Sequence, residues 1–377
     1  MNFRRTRAVY RKEVLHILRD PRSLIAALAQ PLMMLLLFGY ALSLDVDRIP
    51  TVIYDLDNSS VSQALIKDFR GSRYFQIVGE VHGYKPVEQN VDSNKALLGV
   101  VIPDDYSRNL ALGKTANVQF LLDGSDSNTA SIAMGYAEGM IQGYAQRRRE
   151  DAEMARTGRV IQPPIDPRVR VWYNTDLVSR NFIVPGLIAV ILMIIAAMLT
   201  SLTIAREWEN GTMEQLLSTP VRAVELAVGK LSAYFVLGIV DMLMSLFVGM
   251  VIFKVPMKGN PVLLFVASCI FLFGALAWGI LISAVNRNQL AAYQLCTLTS
   301  FLPAFLLSGF IYSIQNMPVV IQFVALFVPA RYFIDIVKGI FLKGIGLEIL
   351  WFDMLLLIAY GVAMFYLAAR KVRQKVA

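Results

Sequence analysis

The sequence predicts an α-helical membrane protein with six transmembrane helices and an inserted α/β extracytoplasmic domain. Three observations carry that prediction. Apolar residues make up 56% of the 377-residue chain and charged ones only 17%, against about 45–50% and about 25% in soluble domains. The mean hydropathy is +0.53. Charge-free runs long enough to cross a bilayer, about 20 residues each, recur along the chain. The charge is also uneven: residues 45–180 hold 16 basic and 18 acidic residues, and the remainder holds 20 basic and 10 acidic. A basic surplus beside apolar runs marks membrane topology rather than nucleic-acid binding.

Residues 1–22 read as an amphipathic helix on the cytoplasmic membrane surface. Phe3, Tyr10, Val14 and Ile17 share a stripe, and arginines flank it. The first span follows, from Ser23 to Leu44 within a segment 23–45. Its apolar run is longer than the core of a cleaved signal peptide, so it reads as a retained helix. Residues 46–178 alternate strand and helix patterns. Thr51–Tyr54, Ala96–Ile102, Val118–Leu122 and Val169–Tyr173 read as strands, and Ser60–Phe69 and Ser131 to about Ala155 as helices. Arg147, Arg148 and Arg149, followed by Glu150, Asp151 and Glu153, read as a solvated helix face.

The five remaining spans occupy 179–377. Asn181–Ala205, Leu231–Phe253 (interrupted only by Asp241) and Gly259–Asn286 are the second to fourth. No charge lies between Arg287 and Arg331, a stretch too long for one crossing. It divides into a span at about 289–312 and a re-entrant segment at about 313–330, broken by Gln315-Asn316-Met317-Pro318. The sixth span is about 349–369. Basic residues at both ends, Arg4 to Arg22 and Arg370 to Lys375, place both termini in the cytoplasm, which requires an even number of crossings.

Catalytic chemistry finds little to stand on. Cys269 and Cys296 lie in apolar runs, where a small buried thiol is the simplest reading. His16 and His82 are 66 positions apart, unlike a histidine metal site. Gly113-Lys114-Thr115 echoes the end of a phosphate-binding loop, but Arg108 stands where its first glycine belongs. Asp123-Gly124-Ser125-Asp126 lacks calcium-loop spacing. No cofactor is expected in this chain.

The segment at about 206–220, between the second and third spans, is the most informative. Asn210-Gly211 breaks the outgoing helix, Thr212 caps a short new one, and Pro220 helps to end it. That helix carries acids together with Met213, Leu216 and Leu217, the composition of an element that docks in a partner's groove.

At these residues the chain resembles ABC-2 type transporter permeases. Glu207, Glu209, Gly211, Thr212, Glu214, Leu216 and Pro220 match the family's E-x-E-x-G-T-x-E-x-L-x-x-x-P pattern. Arg19-Asp20-Pro21, Pro31, Ser308-Gly309-Phe310 and Pro329-Ala330-Arg331-Tyr332 fit as well. The large insert after the first span resembles the bacterial multidrug-type branch. The resemblance implies a permease subunit of an ATP-driven exporter in the bacterial inner membrane. Two permeases, identical or similar, would pair to form the pore. Separate cytoplasmic ATPase subunits would carry ATP and Mg, and 206–220 would be the coupling helix. A periplasmic adaptor protein often accompanies such permeases.

Four residues are candidates for the pore or its gate: Asp241, Gly309, Phe310 and Pro318. Asp241 is the one charge well inside a span. Such a group points to a cationic substrate or a proton, against the alternative of an aspartate reaching a watery outer region. Arg331, Asp335 and Lys338 share a helix face and are expected to pair. Two other classes compete. A secondary transporter should show paired halves, and none is visible. A non-transporting membrane anchor would explain the inserted domain but not six spans with an acidic surface helix.

Overall fold

The first helix, α1 (Phe3–Arg19), starts where the Asn2 side chain accepts a hydrogen bond from the Arg4 N–H at 3.1 Å, satisfying one of the donors a helix start leaves open. The computed structural model that contains it describes residues 2–42, 48–158, 170, 172–175 and 178–376. They form two compact units, Met1–Leu44 with Val171–Ala377, and Asp45–Arg170. Helix α2 (Pro21–Ala41) opens on a proline, which needs no N–H there, and contains Pro31.

In the second unit the order is β1 (Ile49–Asp55), α3 (Ser60–Gly71), β2 (Phe75–Glu80), α4 (Tyr84–Asp92), β3 (Leu98–Ile102), α5 (Tyr106–Ala111), β4 (Gln119–Leu122) and α6 (Ser127–Thr157). The sheet runs β2-β1-β3-β4; β1 is parallel to β2 and β3, and β4 is antiparallel to β3. All five residues of β3 are buried, which is why it reads as a continuous apolar run covered on both faces. Ile49, Ile53, Leu98 and Val100 pack with Leu65 and Phe69 of α3 and Ala133 and Ala137 of α6, and Val52 and Val101 pack with Val87 of α4 on the opposite face. β2, α4 and α5 are not marked in the sequence because each is short and carries no long apolar run. α6 starts four residues before the expected Ser131 because the Asp126 carboxylate caps it, accepting from the Asn128 N–H. The strand expected at 169–173 lies largely outside the described residues; Trp172 and Tyr173 are not in a strand.

The first unit continues with α7 (Ser179–Ser201), α8 (Thr203–Glu209), α9 (Thr212–Leu217), α10 (Ala223–Val251), α11 (Pro261–Val285), α12 (Gln289–Leu306), α13 (Val319–Ala325), α14 (Pro329–Lys338) and α15 (Leu347–Val376). Among the described residues five helical segments are long and apolar enough to cross a membrane, and the bent pair of α13 with the segment beginning at α14 would make six. Helix α7 is apolar around its whole circumference and is buried along most of its length, the signature of a central helix. It touches α2, α10, α11, α12 and α14. Its closest neighbour is α11. A side chain at Gly279 would collide with the Ala197 carbonyl and the Thr200 hydroxyl, and Thr200 Oγ1 donates across to the Leu276 carbonyl at 2.9 Å.

One expectation changes here. Helix α12 ends at Leu306, short of 312, with bends from 307 to 312 before α13. At 18 residues, about 27 Å long, it is not among the five qualifying segments. The uncharged stretch beyond it does not cross as one rod: α13 and α14 meet at 81°, since Pro329 starts a new helix rather than continuing the old one.

Candidate functional site

The segment between α7 and α10 folds as two short helices at a sharp turn. Gly211 holds a left-handed φ of +69°, which a glycine adopts without strain, and it occupies the cap position of α9. Thr212 is therefore the first helical residue and not the cap expected of it. Its hydroxyl donates back to the Glu207 carboxylate instead. At the α7–α8 junction the buried Ser283 Oγ of α11 accepts from the Ile204 and Ala205 N–H groups, both at 2.9 Å. That supplies partners for donors no helix satisfies there.

Beneath the turn lies a buried ion cluster. Lys230 of α10 is 1% exposed and places Nζ 2.7 Å from Glu13 Oε1 and 3.1 Å from Glu207 Oε1, with the Thr203 carbonyl at 3.3 Å. Lys12 Nζ closes the group at 2.6 Å from the same Glu207 oxygen. Two lysines and two glutamates from α1, α8 and α10 thus compensate one another where a lone charge would be costly. The geometry depends on close approach of α1 to α10: a side chain at Gly229 would strike Val9 of α1.

The same turn is fastened at three further points. The Arg5 guanidinium donates to the Pro220 carbonyl, Glu225 accepts from the Asn2 and Arg222 N–H groups at 2.6 and 3.0 Å, and Glu209 accepts from the Gln289 N–H at 2.8 Å, starting α12. Arg206 donates to His16 Nε2 at 2.7 Å and to Gln289 Oε1 at 3.2 Å. The Arg287 guanidinium lies 4.8 Å from the Trp208 ring. The α8–α9 turn is thus bonded directly to α1, α10 and α12.

The turn is exposed on one side only. Glu207 is buried and committed to its own chain's lysines, and Met213 belongs to the core. Leu216 is half-buried against that core. The surface left open is Glu209, Asn210, Gly211, Glu214, Gln215 and Ser218 to Pro220. The stripe read on the first helix also shifts. Thr6, Val9 and Glu13 form its buried side, Tyr10, Val14 and Ile17 are half-buried, and Phe3 is exposed. Glu13 and Lys230 were missed as site residues. A signal existed for both: Glu13 is the single acid of α1, and Lys230 lies well inside an apolar helix.

The pore candidates lie elsewhere. Asp241 is buried in α10, about 16 Å along the helix from Lys230. Among the described residues neither of its carboxylate oxygens has a hydrogen-bond partner, nor has Ser245 Oγ one turn on. Gly309 has a left-handed φ of +78° and turns the chain after α12. That turn drops Phe310 over Gly186 of α7, where the ring fills the space a side chain would take. Pro318 is exposed at the start of α13. Asp335 makes no ion pair with Arg331 or Lys338 among the described residues; Lys338 Nζ lies 3.5 Å from the centre of the Phe182 ring instead.

Comparison with known proteins gives a consistent picture. A family model described as ABC-2 family transporter protein matches residues 21–370. The chain is 37% identical to the probable multidrug ABC transporter permease YbhS of Escherichia coli K12 over 376 residues, covering 100% of this chain and 98% of that one. It is 33% identical to the probable multidrug ABC transporter permease YbhR of the same strain over 349 residues, 93% of each chain. It is 25% identical over 334 residues to that strain's inner membrane transport permease YhhJ, covering 87% of this chain and 86% of that one.

Proposed function

The chain belongs to the ABC-2 transporter family, and from that premise we propose that it is the membrane subunit of an ATP-driven exporter of drugs or other amphipathic or cationic compounds. In this reading α2, α7, α10, α11, α12 and α15 are the six crossings, both termini are cytoplasmic, and the unit Asp45–Arg170 stands outside the inner membrane. The α13–α14 bend enters the outer half without crossing. Two permeases pair, and ATP and Mg reside on the partner ATPases.

The observation that carries the reading is the fastening of the α8–α9 turn. Its exposed rim, Glu209, Gly211 and Glu214, meets the ATPase. Its inward side, Glu207, Thr212 and Leu216, is tied to α1 and α10 through Lys12 and Lys230. Closure of the ATPase pair would push the rim, and the ion cluster would carry that displacement to α10 and α1 as one body, because separating its charges is costly. At the other end, Gly309, Phe310 and Pro318 would close the exit while the exporter rests. Asp241 would offer a carboxylate to a cationic substrate.

The test is reconstitution of the permease with its ATPase in vesicles. Glu214→Lys reverses the charge of the exposed rim and is expected to leave the permease folded while ATP hydrolysis no longer drives efflux. Normal efflux by that variant would remove Glu214 from the coupling surface.

A further inference from the structure

At the elbow between α1 and α2 the first unit contains a crevice of about 210 Å³, walled by α1, α2, α7, α10 and α12. Ala27 of α2 and Ile195, Met198 and Leu199 of α7 make it apolar, while His16 and Arg206 stand at one end. Drug-sized ligands occupy pockets of about 300–1,000 Å³; at about 210 Å³ this apolar crevice has room for part of one alkyl chain.

The polar end carries the chemistry of a phosphate site. Arg206 spends Nε on Gln289 and one Nη1 hydrogen on His16. Among the described residues no hydrogen-bond partner meets Nη2, so the guanidinium keeps donors for an anion, the geometry in which arginine binds phosphate. Asp20 also lines the crevice and has partners of its own, so the mouth carries one acid beside the arginine. The surroundings tip the balance. Arg4, Arg7, Arg11 and Arg19 are exposed on α1, interleaved with exposed Phe3, Leu15 and Leu18. Such a face lies in a membrane interface and gathers anionic headgroups.

We propose that this crevice is a phospholipid site, with one acyl chain lodged between Ala27 and Leu199 and the phosphate held by Arg206 at the mouth. The bound lipid would be a structural neighbour of the α8–α9 turn, because Arg206 is the residue beside Glu207. The inference does not depend on export, and it stands or falls by itself.

The full-length protein would be placed in phosphatidylcholine nanodiscs doped with a phosphatidylglycerol that carries a photoactivatable diazirine near the end of one acyl chain. After irradiation the adducts are mapped by peptide mass spectrometry. Adducts are expected on residues 24–30 and 195–202. Unlabelled phosphatidylglycerol should compete about tenfold better than diacylglycerol, which has the acyl chains without the phosphate, the effect of one charge-assisted contact, and Arg206→Gln should erase that preference. Labelling confined to the outward faces of α11 and α15 in the wild-type protein would overturn the site. Equal competition by phosphatidylglycerol and diacylglycerol in the wild type would overturn the phosphate assignment.

Discussion

Lys230 and Glu13, separated by 217 positions in sequence, meet at 2.7 Å with both side chains almost fully out of solvent. Glu207 joins them from α8, so a single ammonium holds the first helix, the α8–α9 turn and α10 at one point.

Replacing Lys230 with methionine leaves Glu13 and Glu207 buried with only Lys12 beside them. Removing one partner of a buried pair costs about 3–5 kcal/mol, so the melting temperature of the detergent-purified protein should drop sharply. Adding Glu13→Gln to Lys230→Met relieves one stranded charge and should recover part of the loss. A double variant no better than the single one would show that Glu13 is not held by Lys230.

Gly279→Ala tests the α7–α11 contact. The added methyl group meets the Ala197 carbonyl and Thr200 hydroxyl, so the helices must part and the Thr200 bond to Leu276 must weaken. Overpacking of this kind costs about 1–3 kcal/mol, read as a lower melting temperature. The change Gly143→Ala in α6, where a methyl group meets no neighbour within 4 Å, serves as the control and should not destabilise.

Asp57, in the loop after β1, predicts a pH dependence. Partial burial raises its carboxyl, but hydrogen bonds from the Ser59 hydroxyl and from the Ser107 hydroxyl and N–H outweigh that and hold it below its ordinary 3.8. A depressed folded value means the carboxylate contributes stability above pH 3.8, and the contribution is lost as the pH falls through the lower folded value. Hydrogen exchange at 55–62 and 103–108 should therefore be faster in Asp57→Asn than in wild type near neutral pH. The two should converge in acid.

Topology is open to direct labelling. With Cys269 and Cys296 replaced by alanine, single cysteines at Asn2, Gly211 and Lys375 should react with an impermeant maleimide only from the cytoplasmic side, and one at Gln89 only from outside. Reaction at Lys375 from outside would remove the six-crossing arrangement.

Several features were legible in the chain itself because they depend on local pattern. The apolar runs of α2, α7, α10, α11 and α15, the strands β1, β3 and β4, the helix α3 and the break at Gly211 all follow from periodicity and from what glycine and proline do to the backbone. The motif around Glu207 to Pro220 was enough to place the chain beside ABC-2 permeases, and the family match over 21–370 bears that out.

Other features were decided only by the tertiary structure. The sequence marks Glu207 as an acid in a surface segment; it cannot say that Lys12 and Lys230 reach it, because charges far apart in the chain meet only after helices cross. The buried side of α1 depends in the same way on Gly229, whose missing side chain lets Val9 approach. Phe310 over Gly186 and Lys338 over Phe182 are likewise choices of packing. Composition and periodicity determined which segments leave water, because burial of apolar surface is governed by local hydrophobicity. Which charges end up paired inside was determined by the helix crossings, since the low-dielectric interior accepts a charge only where geometry brings its partner within hydrogen-bonding distance.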